Sequence, residues 1–135
     1  MKKYIFLAGL LILAGVISAI FYISKPANAI VWHEYSGHVF EQAKKDHRQV
    51  ILFGQSDTCP WCQQMEKVTF SDNSVVSLIN ANYFPVILDV NKYIDAAIKY
   101  QMMDLPTVVI FDINGKPTKT ITGYIGPSDM IKNLK

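Results

Sequence analysis

The chain has 135 residues, half of them apolar and 18% charged. That composition excludes a disordered polymer and leaves room for one domain, or one domain behind a leader. The formal charge of +2 divides unevenly: residues 1–29 carry Lys2, Lys3 and Lys25 and no acid, whereas residues 30–135 hold 10 basic and 11 acidic side chains. The second part has no basic surplus from which to build a nucleic-acid face, so nucleic acid is not an expected partner.

Met1-Lys2-Lys3 is followed by an uncharged run from Tyr4 to Ile23 and then by Ser24-Lys25-Pro26-Ala27-Asn28-Ala29. A positive start, an apolar stretch and a small-x-small ending describe a secretory signal cut after Ala29. The run is also long enough to span a bilayer, whereas signal cores usually cover about 7–15 residues. The segment therefore reads either as a cleaved signal or as a retained N-terminal membrane anchor. Both readings leave Lys2 and Lys3 in the cytoplasm and deliver the remainder across the membrane. The expected organisation is a leader over 1–29 and a domain over 30–135, periplasmic or otherwise extracytoplasmic, touching the membrane through the leader if that is not removed.

Ile30–Tyr35 reads as a short extended entry. Ser36 is placed to cap a helix running to about Arg48, with Val39, Phe40 and Ala43 on one face. Val50-Ile51-Leu52-Phe53 is an apolar run bounded by polar residues, the pattern of a strand buried on both faces. After a loop over Gln55–Thr58, helix is predicted from Cys59-Pro60-Trp61-Cys62 to about Phe70. Ser71 or Asp72 then caps a helix that turns Val75, Val76 and Ile79 inward. Tyr83–Val90 is a second buried strand with Pro85 near its start, where a missing N–H is tolerable. Asn91–Met102 is expected to be helical with Tyr93, Ile94, Ala97 and Ile98 on the inner side. Val108–Phe111 forms a third strand, and Asn114-Gly115 is a hairpin signal that returns Lys119–Thr122 as an antiparallel edge. Gly126-Pro127-Ser128 opens a last helix. Alternating elements of this kind predict an α/β domain with a mixed central sheet and helices on both faces.

Only two cysteines exist, and two residues separate them. Cys59 falls at a helix N-terminus, where free amide N–H groups and the helix dipole favour a thiolate, and Pro60 suits the first turn. Cys62 follows one turn later, near enough to close a small disulfide. An exposed thiol of low pKa attacks a disulfide, and a second thiol within reach resolves the mixed intermediate. A structural zinc site needs four ligands, and there is no second cysteine pair; His33, His38 and His47 match no ligand spacing. Thiol–disulfide exchange at Cys59 and Cys62 is the chemistry this pattern predicts, with no metal and no cofactor.

These residues belong to a wider pattern. Lys99-Tyr100, Leu105-Pro106-Thr107, Phe111, Asn114-Gly115 and Gly123 stand where thioredoxins carry their K-Y, I-P-T, F, N-G and last-strand glycine, so residues 30–135 resemble the thioredoxin fold. Trp32, Ala43-Lys44, Met65-Glu66, Thr69-Phe70-Ser71-Asp72 and the Phe84–Asp89 spacing resemble more narrowly the C-terminal periplasmic domain of the DsbD family and related small secreted thioredoxin-like proteins. The resemblance implies that Pro106 is cis, packs beside the Cys59–Cys62 pair and, with Leu105, docks an extended substrate segment. It also marks departures. Phe53 occupies the position of the buried acid of cytoplasmic thioredoxins, Thr58 replaces the aromatic before the first cysteine, and the intervening dipeptide is Pro60-Trp61. The proton relay credited to that acid is thus absent or served by another group. Trp61 reads as a half-exposed contact for a partner protein, its alternative being a place in the core.

The leading expectation is an extracytoplasmic thiol:disulfide oxidoreductase that reduces disulfides of substrate proteins. With only two cysteines it cannot relay electrons internally and needs a membrane electron donor, or an acceptor if the direction reverses. Two alternatives stand beside it. One is a DsbA-like oxidant or isomerase of the same fold; the other is a non-enzymatic copper or haem-maturation chaperone using the same cysteines, with Met65 as a further ligand.

Overall fold

The computed structural model describes residues 29–135. The expected leader lies outside these residues except for Ala29. Among the described residues no helix is long and apolar enough to cross a membrane. Five strands form one sheet: β1 (His33–Glu34), β2 (Gln49–Gln55), β3 (Tyr83–Asp89), β4 (Thr107–Phe111) and β5 (Pro117–Thr122), in the order β1-β3-β2-β4-β5. β3 runs parallel to β1 and β2, while β4 is antiparallel to both β2 and β5. This is the mixed sheet with an antiparallel hairpin edge that the sequence predicts.

The apolar run of β2 explains its central place. Side chains alternate across a strand, so Ile51 and Phe53 enter one core with Val108 and Ile110, while Val50 and Leu52 enter the other with Val109 and Phe111. The first core is closed by the redox helix α2 (Pro60–Gln64), by α3 (Asn73–Asn82) and by α5 (Pro127–Leu134), through Cys62, Val75, Ile79, Met130 and Leu134. The second is closed by α1 (Val39–Lys45) and α4 (Ile94–Lys99), through Val39, Ala43, Ala96 and Ala97. Tyr83 donates its hydroxyl to the carbonyl of Leu134 at 2.9 Å, tying the chain end to the sheet. Pro85 is the third residue of β3. It stands opposite Ile51 and one position before β1 begins to pair at Val86, so its missing N–H falls outside the β1 ladder.

Three local expectations change. α1 starts at Val39 with His38 at its cap and no side-chain capping bond; Ser36 contributes its backbone carbonyl to the Val39 N–H instead. The helix also stops short of Arg48, because His47 adopts a positive φ of 53° that ends the turn. In α4 Ala97 faces inward as expected and Ala96 joins it, while Ile94 and Ile98 face solvent, 47% and 60% exposed. Small residues let the short helix lie close to the sheet beside Met102. The third change is at Met65–Thr69, which continue the redox helix as a π-helical turn in which the Phe70 N–H bonds to the Met65 carbonyl.

Asp72 is the cap of α3: its Oδ1 accepts from the N–H groups of Ser74 and Val75 at 2.9 and 3.1 Å. Asp72→Ala leaves both donors without that acceptor and is expected to cost about 1 kcal/mol. Urea unfolding of the two proteins measures the loss; an unchanged midpoint would show that water serves the helix end equally well.

Candidate active site

β2 ends at Gln55, and the chain turns through Ser56–Thr58 to place Cys59 at the head of α2. Cys59 is the N-cap, with extended backbone (φ −97°, ψ 103°), and Pro60 takes the first helical position. Here a sulfur replaces the usual capping oxygen: Cys59 Sγ accepts the backbone N–H of Cys62 at 3.1 Å. Cys59 and Cys62 form a disulfide, their Cα atoms 5.3 Å apart. The two sulfurs differ in access. Cys59 is half-buried, whereas Cys62 is 1% exposed and belongs to the core that holds Phe53, Met65 and Phe70. Once the disulfide opens, the N–H already aimed at Cys59 Sγ and the free donors of the helix head favour a thiolate on that atom.

Beneath the pair the wall is aromatic. Phe53 is fully buried, its ring 4.9 Å from Phe70 and 5.7 Å from Trp32, and Trp32 meets Phe70 edge-on at 5.0 Å. The position at which cytoplasmic thioredoxins hold an acid is therefore one corner of an aromatic triangle. A carboxyl group does lie beside Trp32 and Phe70, on the π-helical turn that continues the redox helix. Glu66 borders a cavity of about 250 Å³ together with Trp32, Phe70 and Ile87. Loss of hydration pushes its carboxyl above the usual carboxylate range, and the like charge of Asp57 adds to the effect.

A raised native pKa means that the folded protein holds this proton more tightly than the unfolded chain does. Its stabilising contribution is complete below the ordinary Glu range and is lost as pH rises through the raised native value. Glu66→Gln is therefore expected to be more stable than the parent at neutral pH, with the difference closing near pH 4. Paired urea unfolding at the two pH values measures this, and a difference that is equal at both would overturn it.

Trp61, in the first turn of α2, joins Leu105, Pro106, Gly123 and Tyr124 in lining an open depression of about 360 Å³. The Leu105–Pro106 peptide bond is cis, as the resemblance implies. Trp61 is 60% exposed, which excludes a place in the core. Its ring lies 5.7 Å from that of Tyr124. All three residues expected to meet substrate, Trp61, Leu105 and Pro106, thus share one surface. Sequence reasoning missed Tyr124, a lone aromatic outside any motif; its one signal was adjacency to Gly123. Met65, the candidate third copper ligand, is fully buried.

Comparisons with known proteins agree with this geometry. A model of the thioredoxin-like domain matches residues 37–135. The thiol:disulfide interchange protein DsbD of Pectobacterium atrosepticum is 31% identical over 99 residues, covering 67% of this chain and 17% of that protein. Spermatogenesis-associated protein 20 of Rattus norvegicus is 31% identical over 62 residues, 46% of this chain and 8% of that one. The chain therefore spans less than a fifth of the length of these relatives. A thioredoxin from Thermus thermophilus superposes with a TM-score of 0.71 at 23% identity, over 78% of this chain and 85% of its own, and so shares the fold. With the thioredoxin-like domain model matching residues 37–135 and a Cys-x-x-Cys disulfide at the head of α2, the chain belongs to the thioredoxin-like domain family.

Proposed function

We propose that the chain reduces disulfides of extracytoplasmic proteins, with Cys59 as nucleophile and Cys62 as resolving thiol, and that residues 1–29 deliver the domain over 30–135 across the membrane as a signal or an anchor. The observation that carries the roles is the unequal access of the two sulfurs. Reduced Cys59 attacks one sulfur of the partner disulfide, forming a mixed disulfide and releasing one partner thiolate, which takes up a proton. Cys62 then loses its proton and attacks Cys59 Sγ, closing the Cys59–Cys62 disulfide and releasing the second partner thiol. Two electrons and two protons pass to the partner. Because the chain has only two cysteines, an external reductant reopens the pair, and on this reading it is a membrane electron donor.

Trp61, Leu105 and Pro106 hold the incoming segment in the groove, the backbone beside Leu105 giving main-chain hydrogen bonds that tolerate many sequences. The reducing direction and the extracytoplasmic site rest on the DsbD resemblance. They are supported by the 31% identity over 99 residues to a thiol:disulfide interchange protein of that name. Equilibrating the purified protein with glutathione buffers tests the direction. A potential below about −200 mV is expected, and one near −120 mV would make the protein an oxidant. A reporter fused after Lys135 that works only in the cytoplasm tests the side; activity there would remove the extracytoplasmic placement.

A further inference from the structure

We infer that Trp61 and Tyr124 form an aromatic seat that selects a large apolar or aromatic side chain next to the partner's reacting cysteine. The inference rests on the reading that Cys59 and Cys62 exchange with protein disulfides, and it adds the chemistry of the segment they prefer. Trp61 stands two residues after Cys59 and one before Cys62, in the first turn of the helix whose head carries the disulfide. The groove it shares with Leu105, Pro106, Gly123 and Tyr124 has no charged residue in its lining. A Trp ring that is 60% exposed is unusual, since tryptophan is highly buried on average. Covering it with apolar surface is favourable, whereas a charge placed there would lose water and gain no counter-ion. Rings also meet rings with a preference for tilted and edge-on contacts, and Trp61 and Tyr124, with centroids 5.7 Å apart and planes at 40°, together line the groove that a third ring would enter.

The seat is held in place from both sides. Gly123, at φ +89°, donates its N–H to the Pro106 carbonyl at 2.8 Å, which ties the start of the loop to the cis-proline segment. On the other side of Tyr124, the Ile125 carbonyl accepts the Thr69 hydroxyl at 2.6 Å, and Thr69 is fully buried in the π-helical turn that continues the redox helix. Tyr124 is thus fixed relative to Trp61 by bonds to the element that carries the disulfide. Little ordering is left for the partner to bring about, so the preference should appear in the rate of the first exchange step.

Two peptides test the seat, each closed by one internal disulfide and identical except for Phe or Ser beside the attacked cysteine. The reduced protein donates two electrons and two protons to either peptide, and the second-order rates are compared as a ratio within each variant. The parent is expected to reduce the Phe peptide about tenfold faster than the Ser peptide. Trp61→Ala and Tyr124→Ala should bring that ratio to within about twofold, and Tyr124→Phe should keep it. A ratio near one in the parent would overturn the seat while leaving the exchange chemistry intact. So would a parent-like ratio in both alanine variants. Failure of the parent to reduce either peptide or glutathione disulfide would remove the dithiol reading itself, and the seat with it. Trp61→Ala gives up no core packing, so the test holds even if Tyr124→Ala does not fold.

Discussion

Cys62→Ser is expected to accumulate partner proteins joined to Cys59 through mixed disulfides, while Cys59→Ser accumulates none and both lose turnover. The asymmetry follows from where the chain puts the two sulfurs. Cys59 is half-buried at the head of α2, and Cys62 is 1% exposed within the core. A partner sulfur can approach the first but not the second. The backbone N–H of Cys62 points at Cys59 Sγ, and an N–H donated to an anion is roughly twice as strong as one donated to a neutral group. Serine at position 62 keeps that N–H, so the nucleophile stays activated and only resolution is lost. Non-reducing gels of the two variants, expressed in cells and quenched in acid, measure the outcome. Equal capture by both, or capture by Cys59→Ser alone, would reverse the roles.

The sequence announces the frame because each strand is a concentrated signal. Val50–Phe53 and Val108–Phe111 are uninterrupted apolar runs, and a strand buried on both faces has no other way to be written. Asn114-Gly115 makes its turn locally, and Asp72 caps its helix locally, so both are readable in place. The cis bond before Pro106 is different: propensity alone disfavours it, and only the family pattern pointed to it. What stayed hidden depends on contacts distant in sequence. Ile94 and Ile98 share a helix face with the same spacing as a core stripe, and nothing local says that Ala96, beside the expected Ala97, faces the sheet in their place. The π-helical turn after the redox helix has no composition of its own; it coincides with a hydrogen bond from Thr69 to Ile125, in a loop remote along the chain. Tyr124 gains its meaning only from Trp61, which the fold brings to it across the groove. The chemistry was legible because both sulfurs lie within one helical turn. The groove around Trp61 was legible only in part, because it is assembled from three separate segments.

Phe53→Ala is expected to lower stability by roughly 3–5 kcal/mol, the range for removing a buried Phe ring that its neighbours cannot replace. For a domain of this size that corresponds to a fall in Tm of at least about 12 °C. The neighbours are themselves large and fixed. Phe70 is packed at the end of the π-helical turn, and Trp32 touches both Phe53 and Phe70 from the chain's extended entry. Neither can move into the space without giving up its other contact, so the cavity should remain largely unfilled. Phe53→Leu, which keeps most of the volume, should cost much less. Phe53→Asp separates this chain from thioredoxins that bury an acid at the same position. Here the carboxylate would replace a ring among rings, on a wall with no partner for its charge, so it should cost more than alanine at neutral pH and recover part of the loss on acidification. Thermal unfolding of the three variants at pH 7 and pH 5 gives the order. Should Phe53→Asp match or exceed Phe53→Ala in stability at pH 7, a polar group or water must reach that corner, and the aromatic triangle would not be the closed wall beneath the disulfide that its packing describes.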